Sequence, residues 1–317
     1  MSSQLVIAVL GAAGSAGSAI VRAGSAAGHK MIAVTRSGHC GGSSELDAVD
    51  YRAADLADPV ATRRAVAGAH VVVFAANIPY PRWGRELPVL IDHAVDAAGS
   101  VGARFVLVDN LYMYAPALTP ITEAAPEHAT DQKGVLRRSI GEKLLGRHQR
   151  GEVEVVIVRA SDFFGPLATN SLLYLGGIKP GWAGKTMRGL FDIDQPHSFA
   201  YLPDIAQALI AVSENPSGDG HAWVLPATVT ATQREMLEQV NRYLPAPVAI
   251  GTLSAWVMRS IGLLSPLLRS AYSVKPQFDR PWVVDGSAAV AQYGLANPTD
   301  LEIAIKMTVA SFASVRS

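Results

Sequence analysis

An α/β protein built on a doubly wound parallel sheet is what the sequence predicts, and three observations predict it. Six short apolar runs rich in β-branched residues fall within the first 160 residues, stretches of helical periodicity separate most of them, and the first run passes straight into a glycine-rich turn. Strands that are apolar along their whole length are buried on both faces, which requires helical crossovers and hence parallel pairing. The runs are Leu5–Leu10, Lys30–Thr35, Tyr51–Ala54, His70–Ala75, Arg104–Val108 and Val153–Val158. Such a sheet binds ligands beyond the carboxyl ends of its strands, where strand order reverses. The site is expected there.

After about residue 165 the rhythm breaks, and the expected division is residues 1–165 for the sheet domain and 166–317 mainly for a smaller substrate-binding lobe. Gly176-Gly177 and Lys179-Pro180-Gly181 read as loops. Asp204 can cap a helix running through about Asn215, and Thr232 with Glu235, like Thr299 with Glu302, has capping-box spacing. Ala222–Leu225 looks like a further strand and Ile205–Val212 like a packing helix. The chain is therefore expected to return from the lobe to the sheet domain.

Composition narrows the function. Of 317 residues 49% are hydrophobic and 17% charged, which excludes a disordered chain, a coiled coil and a collagen-like repeat. Lys plus Arg and Asp plus Glu each total 27, with no run of five like charges, so nothing drives binding to nucleic acid or anionic lipid. A lone cysteine, Cys40, builds neither a disulfide framework nor a cysteine metal site. Leu5–Leu10 is too short for a signal peptide, and Arg259, Pro266 and Arg269 interrupt the apolar segment 253–272. A soluble, cytoplasmic protein is expected.

The first strand leads into Gly11-Ala12-Ala13-Gly14-Ser15-Ala16-Gly17, followed by a helix-compatible stretch through Ala27. Glycines at this spacing let the backbone turn tightly, approach a pyrophosphate and pack the helix on the strand, while the helix N-terminus favours the anion. Gly11, Ala13, Gly14, Ser15, Ala16 and Gly17 are the candidate phosphate-side residues; the alternative is plain turn geometry. The second strand ends in Arg36-Ser37, where a guanidinium and a hydroxyl suit a 2′-phosphate, so NADP(H) is expected ahead of NAD(H). A solvated surface arginine is the competing reading. Asp55 and Leu56 follow the third strand as adenine-side candidates, and Ala75, Ala76 and Asn77 end the fourth where the backbone must come close to the cofactor.

From the first strand to about Asp204 the chain resembles the extended and atypical short-chain dehydrogenase/reductase superfamily, the NAD(P)-dependent epimerase/dehydratase group. The glycine pattern carries the likeness together with Asp55-Leu56, Ala75-Ala76, Val108 to Tyr114, Pro120 to Glu123, Arg159 to Pro166 and Tyr201 to Asp204. The resemblance implies a Rossmann-type domain, a C-terminal substrate lobe and hydride transfer. It also implies a Ser or Thr ending the fifth strand and a Tyr-x-x-x-Lys pair on the next helix, where the phenol moves the proton and the lysine lowers its pKa. Asn110 occupies the hydroxyl position. The helix reads Asp131-Gln132-Lys133-Gly134-Val135-Leu136-Arg137-Arg138, so one register puts Lys133 and Arg137 in place of the pair and another Gly134 and Arg138, neither with a phenol.

Lys133 is the expected replacement, as in the isoflavone-reductase-like members that this arrangement resembles; the competing reading is an exposed helix lysine. A desolvated lysine has a depressed pKa and serves as acid or base. Tyr112, just past the fifth strand, is the other candidate donor, and Arg137 is expected to hold ribose or phosphate or to lie on a solvated helix face. The resemblance makes Ala160, Ser161 and Phe163 the nicotinamide-side loop and Phe164 a wall of the substrate pocket, with Tyr80, Trp83 and Trp182 in loops facing the same cleft. His197 and Asp204 read as structural. No metal-ligand spacing, Gly-x-Ser-x-Gly elbow or Walker lysine occurs.

The leading expectation is an NADP(H)-dependent reductase acting on a small organic carbonyl or conjugated substrate, as a monomer or homodimer. The alternatives are a catalytically silent NADP(H)-binding sensor resembling the NmrA-like regulators and a sugar-nucleotide epimerase or dehydratase.

Overall fold

The computed structural model describes residues 4–39, 46–114, 119–256, 258, 272 and 274–313. Cys40 and most of the apolar segment 253–272 lie outside the described residues. The six anticipated strands are β1 (Val6–Leu10), β2 (Lys30–Thr35), β3 (Asp50–Ala53), β4 (Val71–Phe74), β5 (Arg104–Asp109) and β6 (Val155–Arg159). The later strands are β7 (Asp162–Phe164), β8 (Met187–Leu190), β9 (His197–Tyr201), β10 (Ala222–Val224), β11 (Val229–Ala231) and β12 (Ile250–Leu253). The central sheet has seven strands in the order β10-β6-β5-β4-β1-β2-β3, every pair parallel. From β1 the chain winds outward through β2 and β3, then crosses back to lay β4, β5 and β6 on the other side. The strand order therefore reverses between β1 and β4.

Helices cover both faces, and successive strand residues alternate between them. Ile7 and Val9 of β1 pack with Ile20 of α1 (Ser15–Ala26) and Leu209 of α6 (Leu202–Glu214). Ala8 and Leu10 face Ile91 of α3 (Trp83–Ser100) and Ile140 of α4 (Gln132–Gln149), with α2 (Pro59–Ala65) at the edge of the same layer. This two-sided burial is why the strands read as continuous apolar runs. Two later elements belong to these layers: β10 pairs with β6, and α6 lies against α1. The remaining sheets, β11-β9-β7 and β12-β8, pack with α7 (Gln233–Asn241) and α9 (Leu301–Ala313) around Met236, Leu237, Ile305 and Val309. A short helix, α5 (Lys179–Trp182), precedes β8, and α8 (Ser287–Tyr293) lies near β10.

Three local expectations are corrected. Leu173–Ile178 is a π-helix running into α5, not a loop. Its glycines serve close approach, because a Cβ on Gly176 would collide with the Arg188 carbonyl and one on Gly181 would lie 2.5 Å from Leu244. Asp204 does not cap α6, which starts at Leu202 without a side-chain cap. Its carboxylate instead accepts from Thr228 Oγ1 (2.8 Å), Thr299 Oγ1 (2.5 Å) and Thr299 N (3.1 Å). That leaves the start of α9 to Asp300, whose Oδ1 accepts from Glu302 N (2.9 Å) and Ile303 N (3.2 Å). The capping box at Thr232 and Glu235 forms as its spacing predicts.

Candidate active site

The glycine turn lies at the carboxyl end of β1, beside the point of strand reversal. Gly11 has φ +88°, and a Cβ on it would stand 2.6 Å from Ala76 Cα, so a glycine is required both for the turn and for the approach of the β4 end. A Cβ on Gly17 would strike the Gly11 carbonyl, so glycine lets α1 close onto the turn. Gly14 N-caps α1 without a side-chain cap, leaving the first-turn amides of Ser15, Ala16 and Gly17 without intrahelical acceptors. Ala13 and Gly14 are exposed, and Ser15 Oγ donates to the Leu167 carbonyl (3.1 Å). The open amides and the glycine-dependent close approach fit a dinucleotide pyrophosphate.

Around this turn, Arg36 and Ser37 are exposed at the end of β2. Asp55 is exposed and accepts from Ala57 N (3.0 Å), while the Leu56 carbonyl bonds His93 Nδ1 (2.9 Å). Ala75 and Ala76 are half-buried, and the Asn77 side chain folds back to accept from Ile78 N (2.9 Å) and Trp83 Nε1 (3.1 Å). Past β6, Ala160 and Ser161 are buried, Phe163 is half-buried, and Ser161 Oγ has no hydrogen-bond partner among the described residues.

The proton-transfer candidates meet on the next two strand ends. Asp131 caps α4 by accepting from Lys133 N (2.9 Å) and Gly134 N (3.1 Å). A Cβ on Gly134 would lie 2.6 Å from the Tyr112 carbonyl, so this glycine lets the first turn of α4 seat against the loop after β5. Lys133, 7% exposed, holds its Nζ 3.7 Å from the centroid of the Tyr80 ring. Burial pulls the amine down from 10.5 to about 8, with Asp131 opposing the fall. Tyr80 and Tyr112 share a hydroxyl hydrogen bond of 2.6 Å. Burial raises both phenols, Tyr112 well above 10, and Asp162 pushes each further up. Asn110 spends its amide oxygen on Tyr112 N (3.0 Å), fixing the loop.

Arg137 does not lie on a solvated helix face. It is buried, paired to Asp109 (Nη1 to Oδ1, 3.0 Å), with its guanidinium 4.2 Å from the Trp83 ring centroid. Arg159 is buried too, donating to the Tyr114 hydroxyl (2.5 Å) and Glu127 Oε1 (2.7 Å). Of the pocket aromatics, Tyr80 is half-buried beside Lys133, whereas Trp83 at 2% and Phe164 at 1% exposure have almost no surface to offer a ligand. Trp83 stacks on Tyr112 with centroids 6.0 Å apart, Phe164 packs on Tyr201, and half-buried Trp182 joins the lobe core.

Sequence reading missed Asp162 as a site residue. Its Oδ2 meets His197 Nε2 at 2.8 Å, and the imidazole, 1% exposed, stacks on Phe278 at 4.9 Å and 7°. The signal was faint: a carboxylate opening a strand otherwise aromatic, and a histidine 35 residues on in a buried strand. No group of His, Cys, Asp and Glu suited to a metal ion occurs among the described residues.

Sheet, crossover and glycine turn together define a dinucleotide-binding α/β protein with an added lobe. The profile of the NAD dependent epimerase/dehydratase family matches residues 7–225, and the chain belongs to that family. The fold is shared with an epimerase from Methanothermobacter thermautotrophicus (TM-score 0.81, 15% identity, 99% of this chain and 93% of that one). It is also shared with a UDP-glucuronic acid 4-epimerase from Bacillus cereus in complex with NAD (0.81, 14%, 99% and 100%). A nucleoside-diphosphate-sugar epimerase from Pseudomonas aeruginosa gives 0.76 at 18% identity, covering 99% of each chain. No curated protein matches the sequence.

Proposed function

We propose that the chain is an NADP(H)-dependent reductase of the atypical short-chain dehydrogenase/reductase type, acting on a small organic carbonyl or conjugated substrate. The observation that carries this reading is the Lys133 amine, buried in the first turn of α4 against the Tyr80 ring and drawn to about 8. An amine in that range both gives and takes a proton near neutral pH, which is what a general acid–base requires. The residues that would hold the cofactor are Gly11 to Gly17, Ala75 and Ala76 along the pyrophosphate and ribose, and Ala160, Ser161 and Phe163 on the nicotinamide side. Arg36 and Ser37, both exposed, favour a 2′-phosphate and hence NADP(H).

When bound, NADPH would supply a hydride here. The Lys133 ammonium would donate its proton to the substrate oxygen, become a neutral amine and recover a proton from water. The Tyr80–Tyr112 pair fixes the ring beneath the amine. Asn110 positions the loop that carries Tyr112 and leaves its amide NH2 as a second donor.

The test is a fluorescence titration with NADPH and NADH, followed by a carbonyl and enone panel monitored for NADPH loss in the wild type and Lys133→Met. Turnover that disappears in the variant while NADPH still binds supports the reading. Tight binding without turnover of any panel member defeats it in favour of a sensor. A second reading, sugar-nucleotide epimerisation, draws on what the structural neighbours are named for, and conversion of a UDP-hexose would establish it.

A further inference from the structure

The structural neighbours include proteins named for nucleoside-diphosphate sugars, whose two phosphates demand cations. Among the described residues, the two buried arginines beside this site are already paired. Arg137 is neutralised by Asp109, and Arg159 by Glu127 with Tyr114. What faces the reacting end instead is the Asp162 carboxylate, 27% exposed and held from behind by the buried His197.

The space beyond continues the pattern. Tyr112 packs against a cluster containing Phe191 and Phe278, and Phe278 carries the stack onto His197. Phe191 also lines an open cavity of about 480 Å³, large enough for a small organic molecule. Its charged walls are Asp192, Asp194 and Asp279 against Arg234 and Lys275. Both cations are taken: Arg234 grips Asp194 through two bonds of 2.6 and 3.0 Å, and Lys275 pairs with Asp279. The exposed Arg188 guanidinium, beside the lining residue Gly251, offsets Asp192 among the described residues, so the carboxylate that a diphosphate entering from the lobe side would meet is Asp162.

We propose that this cleft takes an uncharged carbonyl substrate and rejects nucleoside-diphosphate-linked ones, with Asp162 as the specificity-determining residue and His197 as the residue that positions it. The proposal deepens the reductase reading and rests on it for the place of reaction, but the exclusion of diphosphates is measured separately.

The experiment uses the full chain saturated with NADPH, so that the pyrophosphate loop is filled. UDP-glucose is titrated by calorimetry into the wild type, Asp162→Asn and His197→Gln. The expected result is weak binding to the wild type at low salt, and affinity gained by at least about tenfold in Asp162→Asn, as loss of one repelling charge predicts. NADPH titration of each variant shows that the cofactor domain is intact. Added salt screens repulsion, so residual wild-type binding should strengthen as salt is raised. Micromolar binding of UDP-glucose to the wild type, or an Asp162→Asn variant that rejects it equally, overturns the proposal. If the enone panel is silent while UDP-glucose stays excluded from the wild type and gains affinity in Asp162→Asn, the exclusion stands and the reductase reading alone fails.

Discussion

Replacing Lys133 by methionine should make the protein inactive and more stable at once, an unusual pair of effects with a single cause. The amine lies near 8 in the fold against 10.5 in the exposed reference. That gap corresponds to about 3 kcal/mol of burial cost carried by the ammonium at neutral pH. The contact with the Tyr80 ring returns about 1 kcal/mol, and methionine fills the same volume without charge. On these two contributions alone the gain is about 2 kcal/mol. With an unfolding entropy of about 2.1 cal/mol/K per residue, a chain of 317 residues gains about 3 °C in Tm at pH 7. The sign with pH follows from linkage. Between about 8 and 10.5 the unfolded chain binds the proton that the folded one has released, so wild-type stability rises through that window. The advantage of the variant should therefore be full below pH 8 and fade by about pH 10. Differential scanning fluorimetry across pH 6 to 10, at about one-unit steps, reads this directly. A variant less stable than wild type at pH 7, or more stable by the same amount at every pH, would refute the reasoning.

Carbonyl reduction, which uses the ammonium, should lose kcat as pH rises through about 8, and alcohol oxidation should gain it over the same range; a flat profile in both directions removes Lys133 as acid–base. Arg36→Ala should weaken NADPH by about 10- to 100-fold while leaving NADH nearly unchanged, the size of one or two charge-assisted hydrogen bonds, and fluorescence titration separates this from a solvated arginine. Tyr112→Phe leaves the Tyr80 hydroxyl without its 2.6 Å partner; a loss of about 1–2 kcal/mol in urea unfolding with kcat within a few-fold of wild type is expected, whereas a collapse of kcat would make Tyr112 the donor. Gly134→Ala drives a methyl into Ala129 and the Tyr112 carbonyl, so it should cost roughly 1–3 kcal/mol and move the kinetic midpoint away from about 8, which a pH–rate profile detects.

Features set by neighbours in sequence were legible; those set by distant partners were not. Five of the six early strands could be read because burial on both faces demands apolar residues at consecutive positions, as in Val71–Phe74, whereas the edge strand β3 is exposed or half-buried throughout. Gly11 could be read because its turn and its helix are contiguous. Gly176 and Gly181 could not, since the groups that forbid a Cβ there, the Arg188 carbonyl and Leu244, come from other elements. Asp204 has the local look of a cap, yet its partners Thr228 and Thr299 stand 24 and 95 residues away. The same holds at the site. Lys133 could be proposed from its place on the helix, but the ring beneath it belongs to Tyr80, and the carboxylate that claims Arg137 ends β5.

That last pairing bears on how a lysine can serve where the family resemblance expects a phenol. A tyrosine near 10 needs a neighbouring cation to bring its proton within reach, whereas an amine near 10.5 needs only to lose water. The site supplies the second condition, while for the phenols burial outweighs the first. Arg137, one turn beyond Lys133 and held by Asp109 and Trp83, lowers Tyr80 and Tyr112 by less than burial raises them. Were the arginine free to face the amine, its charge would add to the desolvation of Lys133 and drive it further down. Sequestering it leaves burial as the dominant influence and Asp131 as the brake, and the balance falls at about 8. The Asp109–Arg137 pair thus keeps the electrostatics at Lys133 simple, while the Arg137–Trp83 stack anchors the face of α4 from which the amine projects.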